Sequence, residues 1–402
     1  MLAGVRVVEL GVWVAGPSAG GILADWGADV VKVEAPAGDP MRRMLAVTVG
    51  HGRPESPPFD LDNRGKRSVV VDLANPAARA VMARLVDGAD VFLTNLRPEA
   101  VDRLTLGPDQ LRATNPRLVY ASVTGYGRHG PDAGRAGYDV GAFWARTGIA
   151  ATAVAADQPP PGIRGGLGDH VTGITTVAGI LGALLERERT GRGQLVETSL
   201  LRTGIYCLGW DHSMQLRFGK LAPTSPRTRA MNAMVNTYQA GDGRWFQLLG
   251  VESDRLWPKL LAALDAPDVA DDPRFVTARD RRYNAEVLVA RLDELFALRS
   301  REEWAARFDV HDVWFAPVLE PDEVVVDPQA IAAGAFVDVP GSAAEGGVPA
   351  HRNVATPVQF GTDAVGPRGP VPTLGEHTDE VLGELGYSSD AIAGLRESGA
   401  IA

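Results

Sequence analysis

A carboxylate closes a run of glycines just ahead of a long apolar stretch. The run is Gly165-Gly166-Leu167-Gly168-Asp169-His170, and residues 171–186 after it have the composition of a buried helix. Three chemistries suit an Asp in that place. It can cap the helix by accepting bonds from the free N–H groups of the first turn. It can sit beside an anion site at the helix start. It can also act as a nucleophile, with the glycines giving a reacting group close access to the backbone. Local sequence alone favours the cap, the commonest role of Asp at a helix start.

Other polar clusters follow strand-like segments. Asn63-Arg64-Gly65-Lys66-Arg67-Ser68 is a compact basic block, either a solvated turn or a grip on a phosphate-bearing ligand. Asn95-Leu96-Arg97-Pro98 follows the carboxyl end of a strand, where α/β sheets bind ligands, so Arg97 and Arg103 are placed to touch one. Thr124-Gly125-Tyr126-Gly127-Arg128-His129-Gly130-Pro131 is a glycine-rich loop in which His129 reads as a surface residue rather than a base. Tyr138-Asp139 opens an apolar segment, and Asp139 reads there as a cap. The first strand, turn and helix imitate a dinucleotide site ending at Glu34. However, Gly11, Gly16, Gly20 and Gly21 miss the G-x-G-x-x-G register and Pro17 occupies the turn. A nicotinamide-dependent dehydrogenase is thus supported by the sheet pattern alone.

The elements that must carry these residues alternate. Strands are expected at 5–10, 29–34, 68–73, 90–94 and 118–123, with helices at 18–26 and 77–86. This rhythm predicts an α/β fold: a parallel sheet with helices on both faces. After the helix at 171–186 come a turn at Thr190-Gly191-Arg192-Gly193-Gln194, a strand at 195–198 and a helix at about 200–216. From about residue 231 the pattern changes to that of a smaller α+β domain. Short strands at 236–240 and 245–249 flank an Ala240-Gly241-Asp242-Gly243 hairpin turn. Helices at 253–264, 284–298 and 300–308 follow, then a strand at 315–319 leading back, and helices at 378–385 and 390–398.

Bulk properties narrow the function classes. At 402 residues the chain is long enough for two domains. A net charge of −10 leaves no basic stripe for nucleic acid. The single Cys207, in an apolar stretch, reads as a buried, inert thiol and fits a cytoplasmic setting. No His/Cys cluster has metal-ligand spacing, so no metal is expected. No signal-peptide pattern stands at the start, and no apolar run is expected to reach the ~20 residues of a membrane span.

Together these blocks resemble the class III CoA-transferases, the CaiB/BaiF family. The matching residues are Ala15-Gly16-Pro17, Leu23-Ala24-Asp25-Trp26-Gly27-Ala28-Asp29-Val30-Val31-Lys32-Val33-Glu34 and Asn63-Arg64-Gly65-Lys66-Arg67-Ser68. They continue with Ala89-Asp90-Val91, Asn95-Leu96-Arg97-Pro98, Asn115-Pro116-Arg117-Leu118-Val119-Tyr120-Ala121-Ser122 and Gly125-Tyr126-Gly127. Gly137-Tyr138-Asp139, Gly168-Asp169, Ala183-Leu184-Leu185-Glu186-Arg187 and Leu374-Gly375-Glu376-His377-Thr378-Asp379-Glu380-Val381-Leu382 extend the match. It is strong over residues 1–210, weak in the middle and clear at the end.

The resemblance implies a Rossmann-like large domain and a smaller α+β domain in an interlocked homodimer. Its boundaries would be residues 1–200 for the CoA-binding part, 201–229 for a linker helix and loop, 230–320 for the small domain, and 321–402 for a second linker returning to the large domain. It also implies that Asp169 is the nucleophile and that CoA moves from an acyl-CoA donor to a carboxylic acid through aspartyl anhydride and thioester intermediates. Acyl-CoA and the acid are substrates, with no permanently bound cofactor. Substrate contacts are implied for Val14, Ala15, Asn95, Leu96, Arg97, Arg103, Tyr138, Asp139 and Gly168. Ala35 stands where the formyl-CoA transferase branch has an arginine, and Val14 replaces a glutamine of that branch, which argues against formyl-CoA and oxalate as the pair. The racemase branch of the family needs a His in a Gly-His-Asp triplet, but here the triplet is Gly137-Tyr138-Asp139 and a phenol is a poor base near neutrality. Glu252 falls where that branch has a supporting glutamate, though it also reads as a surface residue at a helix start. His170 follows Asp169 directly and should point elsewhere. A non-catalytic acyl-CoA binder is a further alternative, against which an intact Asp169 argues. Trp210, Met214, Met231 and Met234 suggest an apolar acyl pocket, or simply core.

Overall fold

The computed structural model describes residues 1–44, 56–361 and 365–402. The chain divides into two compact units: Met1–Ala150, Gly162–Lys220 and Ala332–Ala402 form one, and Ala151–Pro161 with Leu221–Ile331 form the other.

The first unit is built on a six-stranded parallel sheet. Its strands are β1 (Arg6–Leu10), β2 (Asp29–Glu34), β3 (Arg67–Val70), β4 (Val91–Thr94), β5 (Val119–Thr124) and β6 (Leu195–Ser199), in the order β3-β2-β1-β4-β5-β6. Runs such as Val30-Val31 and Val7-Val8 are apolar at successive positions because both faces are covered. Val8, Val31, Val69 and Phe92 face α3 (Ala78–Asp87) and α12 (Thr378–Glu384), through Val81, Leu85, Val381 and Leu382. Val7, Val30, Leu93 and Ala121 face α1 (Ala15–Asp25) and α6 (Leu167–Thr190), through Ala19, Leu23, Val177 and Ile180. Each fully buried Val or Leu contributes roughly 1.5–3 kcal/mol on this basis.

The remaining helices of this unit include α2 (Pro57–Asn63), α4 (Pro98–Arg103), α5 (Pro108–Thr114), α7 (Leu200–Cys207) and α8 (Gly209–Phe218). The expected single helix at 200–216 is therefore two, broken at Leu208, whose N–H bonds back to Gly204. An antiparallel pair, β10 (Phe336–Val339) with β11 (His351–Val354), was not foreseen. The chain then ends in α12 and α13 (Ser389–Glu397), and Ile401 bridges to Val71 beside β3.

Helix α6 is longer than its sequence pattern implied. It runs 24 residues, ending at Gly191 in the left-handed region (φ 70°). By length and composition it could cross a membrane, which corrects the expectation that no apolar stretch reaches that length. Its apolar side is instead part of the core, and it lies so close to α1 that a Cβ on Gly173 would sit 2.2 Å from Ser18 Oγ. Cys207 also departs from expectation: it is exposed, because α7 buries Leu200, Thr203 and Gly204 and turns the cysteine outward.

The second unit carries a three-stranded antiparallel sheet of β7 (Thr237–Gln239), β8 (Trp245–Leu248) and β9 (Phe315–Pro317). β9 is thus the third strand of this sheet rather than a strand returning elsewhere. Helices α9 (Ser253–Leu264), α10 (Ala285–Phe296) and α11 (Arg301–His311) cover it, with Tyr238, Phe246, Phe296, Trp304 and Phe308 packed ring against ring.

Candidate active site

In the strand order of the large sheet, β1 is flanked by β2 on one side and β4 on the other. Chains leaving the carboxyl ends of β1 and β4 therefore part in opposite directions and leave a crevice, the usual ligand position in an open α/β sheet. A cavity of about 210 Å³ lies there, walled by Val12, Trp13 and Ala15 after β1, Asn95 to Pro98 after β4, Val123 to Gly125 at the end of β5, Arg135 to Tyr138, Leu200 and Asp169.

Each wall has a visible support. The Asn95 side chain clamps the β1 loop in both directions: its Oδ1 accepts from Val12 N–H at 3.0 Å and its Nδ2 donates to Val12 O at 2.7 Å. Trp13 sits in the left-handed region at φ 68°, a strained position for a bulky residue. Its N–H is held by Asp39 Oδ1 at 3.0 Å, and Asp39 Oδ2 takes Lys32 Nζ at 2.9 Å. Lys32 also donates to Glu9 at 3.0 Å and to the Gly11 carbonyl at 3.0 Å. Glu9 takes Lys66 at 2.7 Å, and Lys66 reaches Pro17 O and Asn63 Oδ1 at 2.8 and 2.9 Å. Burial pushes the Glu9 carboxyl up, but Lys66 and Lys32 outweigh it and hold the group below its usual range. The basic block is thus neither a solvated turn nor a grip on a phosphate. Asn63, Arg64, Lys66 and Ser68 are buried, and Arg64 is spent on Asp25 at 2.7 Å and on the Val354 carbonyl. Its positive charge answers buried carboxylates and braces the β1 loop.

The glycines serve close approach. Gly125 and Gly137 meet back to back, and a Cβ on Gly137 would lie 2.6 Å from the Gly125 Cα. Gly166 takes φ 90° and ends the turn before α6, while a Cβ on Gly168 would lie 2.5 Å from the Phe143 ring. Phe143 belongs to a single π-helical turn, Val140–Ala145. Asp139 precedes that turn without capping it. Its Oδ2 instead accepts the Gly166 N–H at 2.8 Å.

Asp169 lies in the first turn of α6, and no side chain caps that helix. The cap reading of Asp169 is therefore set aside. The His170 N–H bonds to Gly166 O at 2.9 Å, so the N–H groups of Leu167, Gly168 and Asp169 precede the helix's own bonding. Burial pushes the Asp169 carboxyl up to about 7; the charges of Asp139 and Asp62 add to the rise and His170 opposes it. A carboxylate of that basicity is a stronger nucleophile than a solvated one and is still ionised at slightly alkaline pH.

Of the residues singled out from sequence, Ala15, Asn95, Leu96, Arg97, Tyr138 and Asp169 line one cavity. Gly168 and Asp139 stand one layer behind, as its supports. Val14 turns away into an apolar cluster with Met41, Phe59 and Val371. Arg103 ends α4, exposed and off the cavity wall. His129 is exposed. Glu252 is an exposed residue of the second unit, paired with Arg255. His170 points to Asp62. Trp210, Met214 and Met231 are exposed and Met234 is core, so none of the four lines this cavity. Trp13 was overlooked; its ring meets Tyr138 edge-on at 5.9 Å. Its one sequence signal was its place between Gly11 and Gly16.

The sequence profile described as CoA-transferase family III matches residues 2–378. The chain is 30% identical over 399 residues to the (R)-2-hydroxy-4-methylpentanoate CoA-transferase of Clostridioides difficile, spanning 99% of this chain and 98% of that one. It is 31% identical to the cinnamoyl-CoA:phenyllactate CoA-transferase of Clostridium sporogenes, spanning 99% and 96%. Among solved structures, a CaiB/BaiF family protein from Brucella suis superposes with a TM-score of 0.83 at 33% identity, covering 96% of this chain and 99% of that one. The chain belongs to the class III CoA-transferases, the CaiB/BaiF family.

Proposed function

We propose that this enzyme moves CoA from an acyl-CoA to a carboxylic acid through covalent intermediates on Asp169. The observation that carries this reading is the carboxylate itself: basic, half-buried, at the first turn of a helix, on the wall of the cavity at the sheet's switch point. An Asp169 oxygen attacks the thioester carbonyl, and the C–S bond breaks to give a mixed anhydride and CoA thiolate. The thiolate attacks the Asp169 Cγ and releases the donor carboxylate, leaving an aspartyl-CoA thioester. The acceptor carboxylate then attacks Cγ and expels the thiolate. The thiolate finally attacks the acceptor's carbonyl and frees Asp169. Each attack builds an oxyanion, and the N–H groups of Leu167 and Gly168, ahead of the helix's own bonding, are assigned as its donors. Arg97 and Asn95 on the β4 loop are assigned to the CoA side of the cavity, with Arg103 further along its path.

Trp13, Tyr138, Val123 and Leu200 give the cavity an apolar side, which supports a branched or aryl acyl group. Two relatives bear the names of such acids. Proton exchange at an α-carbon would need a second base beside Asp169, and the cavity offers Tyr138, whose phenol is a poor base near neutrality.

Second copies of the chain are assigned to the exposed apolar side chains of α7 and α8. Helix α8 buries none of its residues, yet Trp210, Leu216 and Phe218 are 83%, 87% and 65% exposed, and Tyr206 on α7 is 87% exposed. A patch of that kind marks an interface, and a homodimer is the form it supports. The test of the catalytic reading is Asp169→Ala: CoA exchange between an acyl-CoA and a free acid should fall by about 1,000-fold or more while CoA binding persists. Retained exchange would refute it.

A further inference from the structure

One buried acid near the site is used by none of the steps above. Asp62 is on α2, its side chain 4% exposed, and α2 lies against α1 so closely that a Cβ on Gly21 would come 2.7 Å from the Asp62 carbonyl oxygen. Asp62 Oδ1 faces His170 Nε2 at 3.2 Å, and its Oδ2 has no partner among the described residues. A buried carboxylate with one oxygen bonded depends on that one partner for compensation of its charge. The other edge of the His170 ring packs on Gly166: a Cβ there would be 3.4 Å from both Nδ1 and Cε1. Burial disfavours the charged ring, but Asp62 and Asp169 outweigh it and hold the His170 imidazole above its usual range. Gly166 is therefore held by Asp139 on its N–H and by the His170 backbone N–H on its carbonyl, with the His170 ring packed against its Cα.

We propose that Asp62 and His170 form a positioning pair that locks the Gly166 turn, and with it the free N–H groups at the start of α6, toward the carbonyl that Asp169 attacks. This rests on the reading of Asp169 as the nucleophile. The pair itself touches no reacting atom. Asp62 orients the imidazole and favours its protonated form, and the imidazole packs against the glycine whose rotation would swing Leu167 and Gly168 N–H off target. A Gly turn free to reorient loses a pre-placed oxyanion site, and pre-placement is where such donors get their effect. The charged groups around the ring are Asp62 from α2, Asp169 on its own helix and Asp139 across the turn, with Lys66 and Glu9 behind Asp62.

The test compares full-length Asp62→Asn, His170→Gln and the double variant with the unsubstituted enzyme, each checked for fold by circular dichroism and melting. Overall CoA exchange is followed across pH, so the result does not depend on trapping an intermediate. Each single variant should lose about tenfold or more in kcat with KM for acyl-CoA within about threefold, and the double variant should be no worse than the worse single one. His170→Gln should also move the acid limb of the rate profile to higher pH, because a positive charge beside Asp169 is gone. A structural role alone would not move that limb. Unsubstituted kcat with an unshifted limb in folded His170→Gln, or losses that multiply in the double variant, would overturn the pair. If Asp62→Asn does not fold, the kcat and limb of His170→Gln decide. Absence of a trapped Asp169 adduct in the unsubstituted enzyme counts against the covalent route and not against this coupling.

Discussion

Asp169 is pulled two ways. The positive end of α6 favours its charge, while burial and the neighbouring carboxylates of Asp139 and Asp62 oppose it and win, raising it to about 7. Two results follow. Catalysis needs the ionised form, so kcat/KM for acyl-CoA should rise as pH climbs through about 7 and level above it; a stopped-assay profile over pH 5–9 checks this. Stability has the opposite sign. A carboxyl raised in the folded state binds its proton more tightly there than in the unfolded chain. Its contribution is fully present below the unfolded value near ~4 and is lost as pH rises through about 7. Asp169→Asn should therefore raise the melting temperature at pH 8 and change it little at pH 4. A gain at pH 4 and none at pH 8 would contradict the assignment.

At the scale of elements, the site is a set of loops each held by something buried. The β1 loop leans on Asn95 and on the chain of Asp39, Lys32, Glu9 and Lys66, whose Glu9 and both lysine side chains have 0% exposure. Glu9→Gln leaves two buried ammonium groups short of a partner and should cost on the order of 3–5 kcal/mol by urea unfolding. The loop after β5 doubles back on itself at Gly125 and Gly137. Gly137→Ala should lower stability by about 1–3 kcal/mol and depress CoA exchange, because backbone rather than a flexible side chain is in the way. The strands were legible because β-branched runs such as Val30-Val31 signal a doubly covered sheet. The role of the basic block was not. Lys66 and Arg64 look like a ligand grip in sequence, since Glu9 and Asp25, which neutralise them, stand 57 and 39 positions away. Nor could pattern show that Asp139 skips its own helical turn to hold the Gly166 N–H ahead of α6, because that bond spans 27 positions and depends on the two loops meeting.

For the whole molecule, the family and the six-stranded parallel sheet were readable from the order of short blocks along the chain. The exposed apolar face of α7 and α8 was not. Trp210 and Met214 look like acyl-pocket residues in sequence, and only the fold shows that α8 buries nothing within its own unit. If α7 and α8 carry the dimer, the double variant Trp210→Glu and Phe218→Glu should sediment as a monomer, whereas an unchanged sedimentation coefficient would move the interface elsewhere. The most direct test of the central claim is the intact mass of the enzyme mixed with a panel of branched and aryl acyl-CoAs and quenched with hydroxylamine. A single adduct mapping to Asp169, absent from Asp169→Ala, is the outcome this mechanism requires. No adduct with any donor, together with α-deuterium exchange into a 2-methylacyl-CoA, would contradict it and put racemisation in its place.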